Sequence, residues 1–486
     1  MQGDASASLE NSFSSAVRFF AVTALLGATF AANAQDQTQP QAPPTGNPAV
    51  PAQPAGQGEP PAAAADDATK FPEVVEAIEL FKQLKFNESR EKLREAVQKH
   101  PELAPADLIY AELLIKSGQI PLGRKEIEDV VVAMPGDPRA YMALGAIGLA
   151  EGRWTDALLQ YEKAAEVAQT FAFVNDEEKQ KFLNKCSLGR GTVHENRKNW
   201  SLARKEFEKW LESDPKNGPI RQRLARAIFF EGDVERAFKE LQQAKADDDR
   251  LSPPETALAS FYATNNDFEK AEEYFKKGIE AESDELIPYQ TYAQWLFNRG
   301  RTKEAKEQTM VALRALPTNR TLRLMRSIFA RHLKAYDEAE TELEDLLRES
   351  SDDAMVRNEL ALTLAEQPDP TKTRRAFELA AQNVRANQRS ADLLATFGWV
   401  NYRLGNLDQA ERFLKAALQL SQQQTRPELF YYMAHVLAER GNNADAKKLL
   451  DQIVASDAPF AFKDEAKEWA KRLADAEAST TQTPSP

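Results

Sequence analysis

Four histidines and one cysteine are the side chains here best suited to hold a metal or attack a substrate, and their spacing favours neither role. His100, His194, His332 and His435 stand far apart, and none has a second His or Cys at the short interval that metal ligation uses. Cys186, the sole cysteine, has no partner for an internal disulfide and lies in a helical pattern, where it reads as a small buried hydrophobe rather than a reactive thiol. The sequence contains no Gly-rich phosphate loop, no nucleophile elbow and no zinc-protease helix motif. Carboxylates are plentiful, but across 337–349 they are interleaved with Leu343, Leu346 and Leu347, the pattern of a solvated helix face rather than of a paired acid and base. The chain is therefore read as a non-enzyme with no catalytic residue, no cofactor and no metal.

Charge narrows the partners. Asp and Glu number 75 against 62 Lys and Arg, a formal net charge of -13, so the surface as a whole repels phosphate backbones and nucleic acid is not a partner. Against that background Arg314, Arg320, Arg323, Arg326, Arg331 and Lys334 crowd into 314–334. Such a stretch would either receive an acidic partner segment or pair with the acidic helix 337–349 just after it, or with the acidic repeat before it.

The elements that carry these residues are helical. Leu, Ala, Glu, Lys and Gln fill the intervals between regularly placed prolines, and glycines are few. Tyr141, Leu144, Gly145 and Gly148 lie along one helix face, Gly152 stops that helix, and Trp154, Ala157, Tyr161 and Ala164 mark the next. This unit recurs. A small residue in the second helix falls at Ser89, Gly123, Ala157, Ala203, Ala237, Ala271, Ala305, Ala339, Ala376, Ala410 and Ala446, at intervals of 34, 34, 46, 34, 34, 34, 34, 37, 34 and 36. A small partner precedes nearly all of them by twelve, at Ala77, Ala111, Gly145, Gly191, Ala225, Ala259, Ala293, Ser327, Gly398 and Ala434; the remaining pair, Ala361 and Ala376, is stretched around Pro368. Two antiparallel helices can approach closely only where neither presents a bulky side chain, and overpacking such a joint costs about 1–3 kcal/mol. Tyr161, Phe207, Phe275, Leu343 and Leu414 then fill the space between one hairpin and the next.

Period, small pair, turn Gly or Asn, and closing prolines (Pro101, Pro135, Pro215, Pro317) together resemble the tetratricopeptide repeat (TPR) family over residues ~70 to 460. The resemblance implies an all-α, right-handed superhelical solenoid of about eleven helix-turn-helix repeats with a C-terminal capping helix. Repeats 1–3 occupy 71–170, and 171–186 is an inserted segment that lengthens a helix or adds a turn. Repeats 4–11 occupy 187–458, and 459–478, with Phe462, Ala466, Trp469 and Leu473 at helical spacing, forms the cap over the open end of the stack.

The ends carry different information. Residues 19–32 form an apolar run too short to span a bilayer, with Ala32-Asn33-Ala34 and Gln35 at its end, which reads as a secretory signal (1–34) cleaved after Ala34. Asp4 and Glu10 against a single Arg18 make the start less basic than usual, and an uncleaved N-terminal anchor is the alternative and the one route to a membrane. No cysteine stands just after the run, which excludes a lipid anchor there. Residues 35–70 are Pro, Ala, Gln and Gly with almost no large apolar side chains, the composition of a disordered linker, and 479–486 is a short polar tail.

In the TPR family the partner-binding surface is the concave face of the first helices. The residues one, four and five after the small residue, and three before it, point that way. Here they are Gln222, Arg226, Phe229 and Phe230; Gln290, Gln294, Phe297 and Asn298; Leu324, Ile328, Arg331 and His332; Trp399, Tyr402 and Arg403; and Tyr431 and His435. Aromatics and arginines are the types that carry binding energy at interfaces, although each could instead pack on the first helix of the next repeat. The reading is a periplasmic or secreted scaffold that binds other proteins or peptide segments, in assembly of an envelope complex. The alternative is a binding protein for peptidoglycan fragments or polysaccharide in wall assembly or glycan export.

Overall fold

The computed structural model describes residues 70–421, 426–456, 458 and 460–481, with side chains described as far as 475 in the final helix. The signal segment, all of the linker but Lys70, and 482–486 lie outside these residues. Among the described residues there are 23 α-helices and no strand, and no helix is long and apolar enough to cross a membrane. The helices form eleven consecutive pairs and a last single helix. The chain divides into two compact units, after Phe261 and inside α11.

The first unit holds α1 (Pro72–Lys82) and α2 (Phe86–Lys99), α3 (Ala106–Lys116) and α4 (Ile120–Ala133), α5 (Pro138–Ala150) and α6 (Trp154–Val167), α7 (Asp176–Asn196) and α8 (Trp200–Ser213), α9 (Gly218–Glu231) and α10 (Val234–Asp247), and the start of α11 (Pro254–Thr264). The second holds the end of α11, then α12 (Phe268–Ala281), α13 (Leu286–Asn298) and α14 (Thr302–Ala315), α15 (Arg320–His332) and α16 (Tyr336–Glu349), α17 (Ala354–Ala365) and α18 (Pro370–Ala386), α19 (Ala391–Arg403) and α20 (Leu407–Leu420), α21 (Pro427–Glu439) and α22 (Asn443–Ala455), and α23 (Lys463–Thr481).

The small residues sit where helices of one pair cross. Ser89 Oγ donates to the Ala77 carbonyl at 2.7 Å, joining α2 to α1. A Cβ on Gly123 would stand 2.8 Å from the Ala111 carbonyl oxygen, and one on Gly398 would stand 2.7 Å from Leu414 Cγ. Tyr161, Phe207, Phe275, Leu343 and Leu414 are buried beside these joints. The core is consequently segmented. One cluster runs from Val74 to Ile147, another from Met142 to Val193, a small one joins Tyr289, Ala312 and Leu322, and a large one gathers residues from Leu324 to Ala470.

A second ladder lies in the turns. The residue that reverses the chain inside a pair has positive φ at Leu84, Gly118, Gly152, Lys198, Gly232, Asn266, Gly300, Lys334, Gly405 and Gly441. The N–H of the next residue reaches a carbonyl five positions back, as in Lys85 to Leu80 (3.0 Å) and Arg301 to Leu296 (2.9 Å), the wide bond that closes a helix C-terminus. The pair α17–α18 lacks this residue. Pro368 ends the reversal there, and Asp369 caps α18 by accepting from the Thr371 N–H at 2.8 Å.

The inserted segment does two things. Arg139 lies 5.2 Å over the Phe171 ring, Phe173 packs on Phe182 at 5.5 Å, and Asn175 accepts from the Glu178 N–H at 2.8 Å to start α7, which runs 21 residues where its neighbours have 11–14. At the other end α23 begins at Lys463 and continues to Thr481, past the 478 read from the sequence, because the intervening Ala and Glu residues favour helix.

Candidate binding faces on the first helices

In the first unit the predicted face is built around one carboxylate. Glu195, near the end of α7, is buried and ion-paired to Arg223, and its other oxygen stands 3.8 Å from Arg226, so two of the three arginines of α9 converge on it. Arg223 also donates to Thr192 Oγ1 at 2.7 Å. The Arg226 guanidinium lies 5.6 Å from the Trp200 ring and 5.7 Å from that of Phe230, and these two rings stack at 4.3 Å. Burial, reinforced by Arg223, lowers the Arg226 pKa, against the pull of Glu195. Gln222 and Phe230 are half-buried. Phe229 is not part of an open surface: it is 5% exposed, edge-on to Phe230 and 5.6 Å from Phe261.

In the second unit the same register gives a different result. Gln290 and Ile328 are half-buried, and Gln294 donates to Asn298 at 2.9 Å. Phe297 is packed between Phe329 and the edge of His332, and Leu324 is core. Arg331 is buried against Glu359 of α17 at 3.1 Å. Trp399 is 3% exposed, one face on Tyr432 (4.4 Å) and a second stacking contact to Tyr402 (5.1 Å), with its N–H donating to Glu366 at 2.8 Å. Arg403 approaches the same carboxylate at 3.4 Å. Burial raises the Glu366 pKa, a shift opposed by Arg403 and by the Trp399 N–H; it also raises Glu428 and lowers His332 well below the usual histidine range, with Arg331 adding to the last.

Tyr431 and His435 of α21 are covered by the chain's own C-terminus. The Phe462 ring lies parallel to Tyr431 at 5.2 Å, Phe460 meets Tyr431 edge-on at 5.2 Å, and Trp469 is 4.5 Å from His435. His435 Nδ1 faces Tyr402 Oη at 3.4 Å. Burial, with Arg403 nearby, pushes the His435 pKa down to about 4. Lys334, in the α15–α16 turn, pairs with Glu465 and stands 5.3 Å over the Phe462 ring. The C-terminal segment is therefore more than an end cap on α22: it also lies on the first-helix side and reaches the turn of the eighth pair.

Family models described as tetratricopeptide repeat match residues 111–172, 256–285 and 401–462. The chain belongs to the tetratricopeptide repeat family. A TPR repeat-containing protein of Pseudomonas aeruginosa is 28% identical over 197 residues, covering 40% of this chain; the chain spans about a third (33%) of that relative's length. Among solved structures, yeast Tom70 is 14% identical at a TM-score of 0.37, covering 85% of this chain and 97% of its own. A TPR protein from Parabacteroides merdae is 12% identical at 0.41, covering 55% and 98%. YrrB, described as a TPR protein with an unusual peptide-binding site, is 21% identical at 0.26, covering 37% and 91%.

Proteins with this repeat bind other proteins or peptides, and this TPR protein distributes its predicted face unequally. The structure brings Arg226 and Phe230 together with Gln222 beside them, and gathers Trp399, Tyr402, Arg403, Tyr431 and His435 into one cluster. It removes Phe229, Phe297, Leu324, Arg331, Trp399 and Tyr431 from open surface, because the first helix of the next pair, or α23, packs on them. The arginine stretch is largely neutralised internally. Arg323 and Arg326 pair with Glu342, Arg323 also with Glu349, and Arg320 with Asp353, so the acidic helix α16 and the start of α17 supply the partners. Glu195, Trp200, Glu366 and Tyr432 escape the sequence reading. A single glutamate or tryptophan near a helix end carries no periodic mark that would single it out. Cys186 is buried, and burial raises its thiol pKa to about 12. Among the described residues no group of three or more His, Cys, Asp and Glu could hold a metal.

Proposed function

We propose that this TPR protein is an exported, non-catalytic scaffold that holds segments of partner proteins on its first helices during assembly of an envelope complex. TPR proteins are generally scaffolds rather than catalysts. The observation that carries the reading is the Gln222–Arg226–Phe230 patch. Arg226 is fixed between Glu195 and two stacked rings although neither hairpin closure nor the small-residue joints require it. A guanidinium preorganised in this way offers a partner a charged donor at little entropic cost. Export rests on the apolar run 19–32 and the Ala32-Asn33-Ala34 site. A protein partner is preferred to a glycan because Trp399, the indole among the predicted face residues, has Tyr432 and Tyr402 stacked on it and no open face for a sugar ring.

Two measurements test the proposal. A photo-crosslinking amino acid at Gln222 should yield a discrete protein adduct in intact cells, whereas one at Lys239, on the opposite helix of the same pair, should not. Absence of an adduct at Gln222 removes the inner-face reading. The mature chain in the periplasmic or culture fraction should begin at Gln35; a chain retaining residues 1–34 in the membrane fraction replaces the exported form with an anchored one.

A further inference from the structure

We propose that the first-helix face of the second unit is a docking site for an amphipathic partner helix bearing two aromatic residues seven apart and a carboxylate three after the first. In the free protein the chain's own 460–475 segment occupies that site as an exchangeable stand-in. The proposal rests on the scaffold reading above and extends it to a second face.

The occupant defines the chemistry. Phe462 and Trp469, seven residues apart, lie on Tyr431 and His435, and Glu465 reaches the cation of Lys334, 131 residues away in sequence. Lys334 also holds the Phe462 ring from above. An aromatic pair at this spacing falls on one side of a helix, with the carboxylate one turn along the same side.

The fit is incomplete, as a stand-in's would be. His435 Nε2, beneath Trp469, is buried and makes no hydrogen bond, and an unpaired buried polar group is costly. The larger side chains Phe462, Trp469 and Leu473 of the segment are only partly buried, although it also buries Phe460, Ala466 and Ala470. An open pocket remains between His332, Leu333 and Lys334 on one side and Ala461, Asp464, Glu465 and Glu468 on the other. A segment attached through a few residues has a high effective concentration, so imperfect contacts suffice to keep it in place. A partner that also satisfies His435 would displace it.

The test uses the full chain and a designed 20-residue helix that carries Phe, Glu and Trp in this spacing on an otherwise Ala/Lys/Glu background. The double variant Phe462→Ala/Trp469→Ala, which leaves all eleven pairs intact, should bind the designed helix at least tenfold more tightly than the wild-type chain. Lys334→Glu in that background should abolish binding, and replacing the peptide's Glu by Lys should restore it. Equal weak binding by wild type and double variant overturns the proposal. So does amide exchange in α23 as slow as in α22, which makes it an integral part of the stack. Dimerisation of the double variant, seen by light scattering, also overturns it in favour of exchange between copies. Because the peptide assay reads only the second unit and the Gln222 crosslink only the first, either reading can fail without the other.

Discussion

The first-helix faces of the two units share one register and differ in what covers them. In the first, α9 presents Arg226 and Phe230 around Glu195, with Gln222 half-buried beside them. In the second, α19 and α21 present a larger aromatic cluster, and the end of the chain lies on it. The repeat thus fixes where a binding face is, and material outside the repeat decides whether it is open.

The largest effects should come from removing rings that belong to packing rather than to a face. Trp399→Ala in the second unit loses the indole between Tyr402 and Tyr432 and leaves the Glu366 carboxylate with Arg403 alone; Phe229→Ala in the first loses the contacts to Phe230 and Phe261. Each should cost about 3–5 kcal/mol in urea unfolding monitored by circular dichroism. A loss below ~1 kcal/mol for either would return that residue to the open surface. Gly189→Ala should cost about 1–3 kcal/mol, since its Cβ would press into the Tyr161 ring, and the loss should appear in first-unit amide exchange before the second.

The second unit should respond to mild acid through His435. Its neutral form is favoured under α23, where Tyr402 and Tyr431 flank it, Trp469 covers it from α23, and Arg403 adds to the burial that lowers its pKa to about 4 against an ordinary 6.5. Protonation therefore favours the uncovered state. The covering of α21 is fully present above pH 6.5 and weakens as pH falls through 6.5 towards 4. Glu366 and Glu428, raised by burial, act with the opposite sign, so the comparison is with His435→Phe. The protection factor of α23, its exchange corrected for the intrinsic amide rate, should fall on acidification in the wild type and lose that dependence in the variant.

The smallest effects lie in the turns. Leu84→Gly should raise stability by about 1 kcal/mol in thermal unfolding, because Leu84 is exposed and gains nothing from its left-handed conformation. Lys334→Gly relieves the same strain but forfeits Glu465 and Phe462, so α23 should exchange faster although the turn itself is relaxed.

The repeat itself was legible because its signals are local. A small residue twelve positions before another reports one helix crossing, and the interval repeats wherever that crossing does. The face was only half legible. The positions that point to the inner side of a first helix also flank the first helix of the next pair, so Arg226 and Phe229, three residues apart, share a prediction and differ in exposure. Arg331 has the composition of a contact residue, yet its carboxylate partner, Glu359, stands one helix beyond the acidic helix that supplies its neighbours. The position of α23 was not legible at all. Its amphipathic spacing was visible, but the contact with Lys334 depends on three intervening pairs stacking in the right geometry, which no local pattern encodes.

The Lys334–Glu465 contact also fixes an order of events. Closing a flexible loop of 131 residues would be slow and entropically unfavourable, whereas across an already stacked set of hairpins the two groups are held near each other at no further cost. The second unit should therefore assemble its pairs from local contacts first and close α23 last, so that during synthesis the face of α21 is uncovered for an interval between its own folding and the arrival of the final helix.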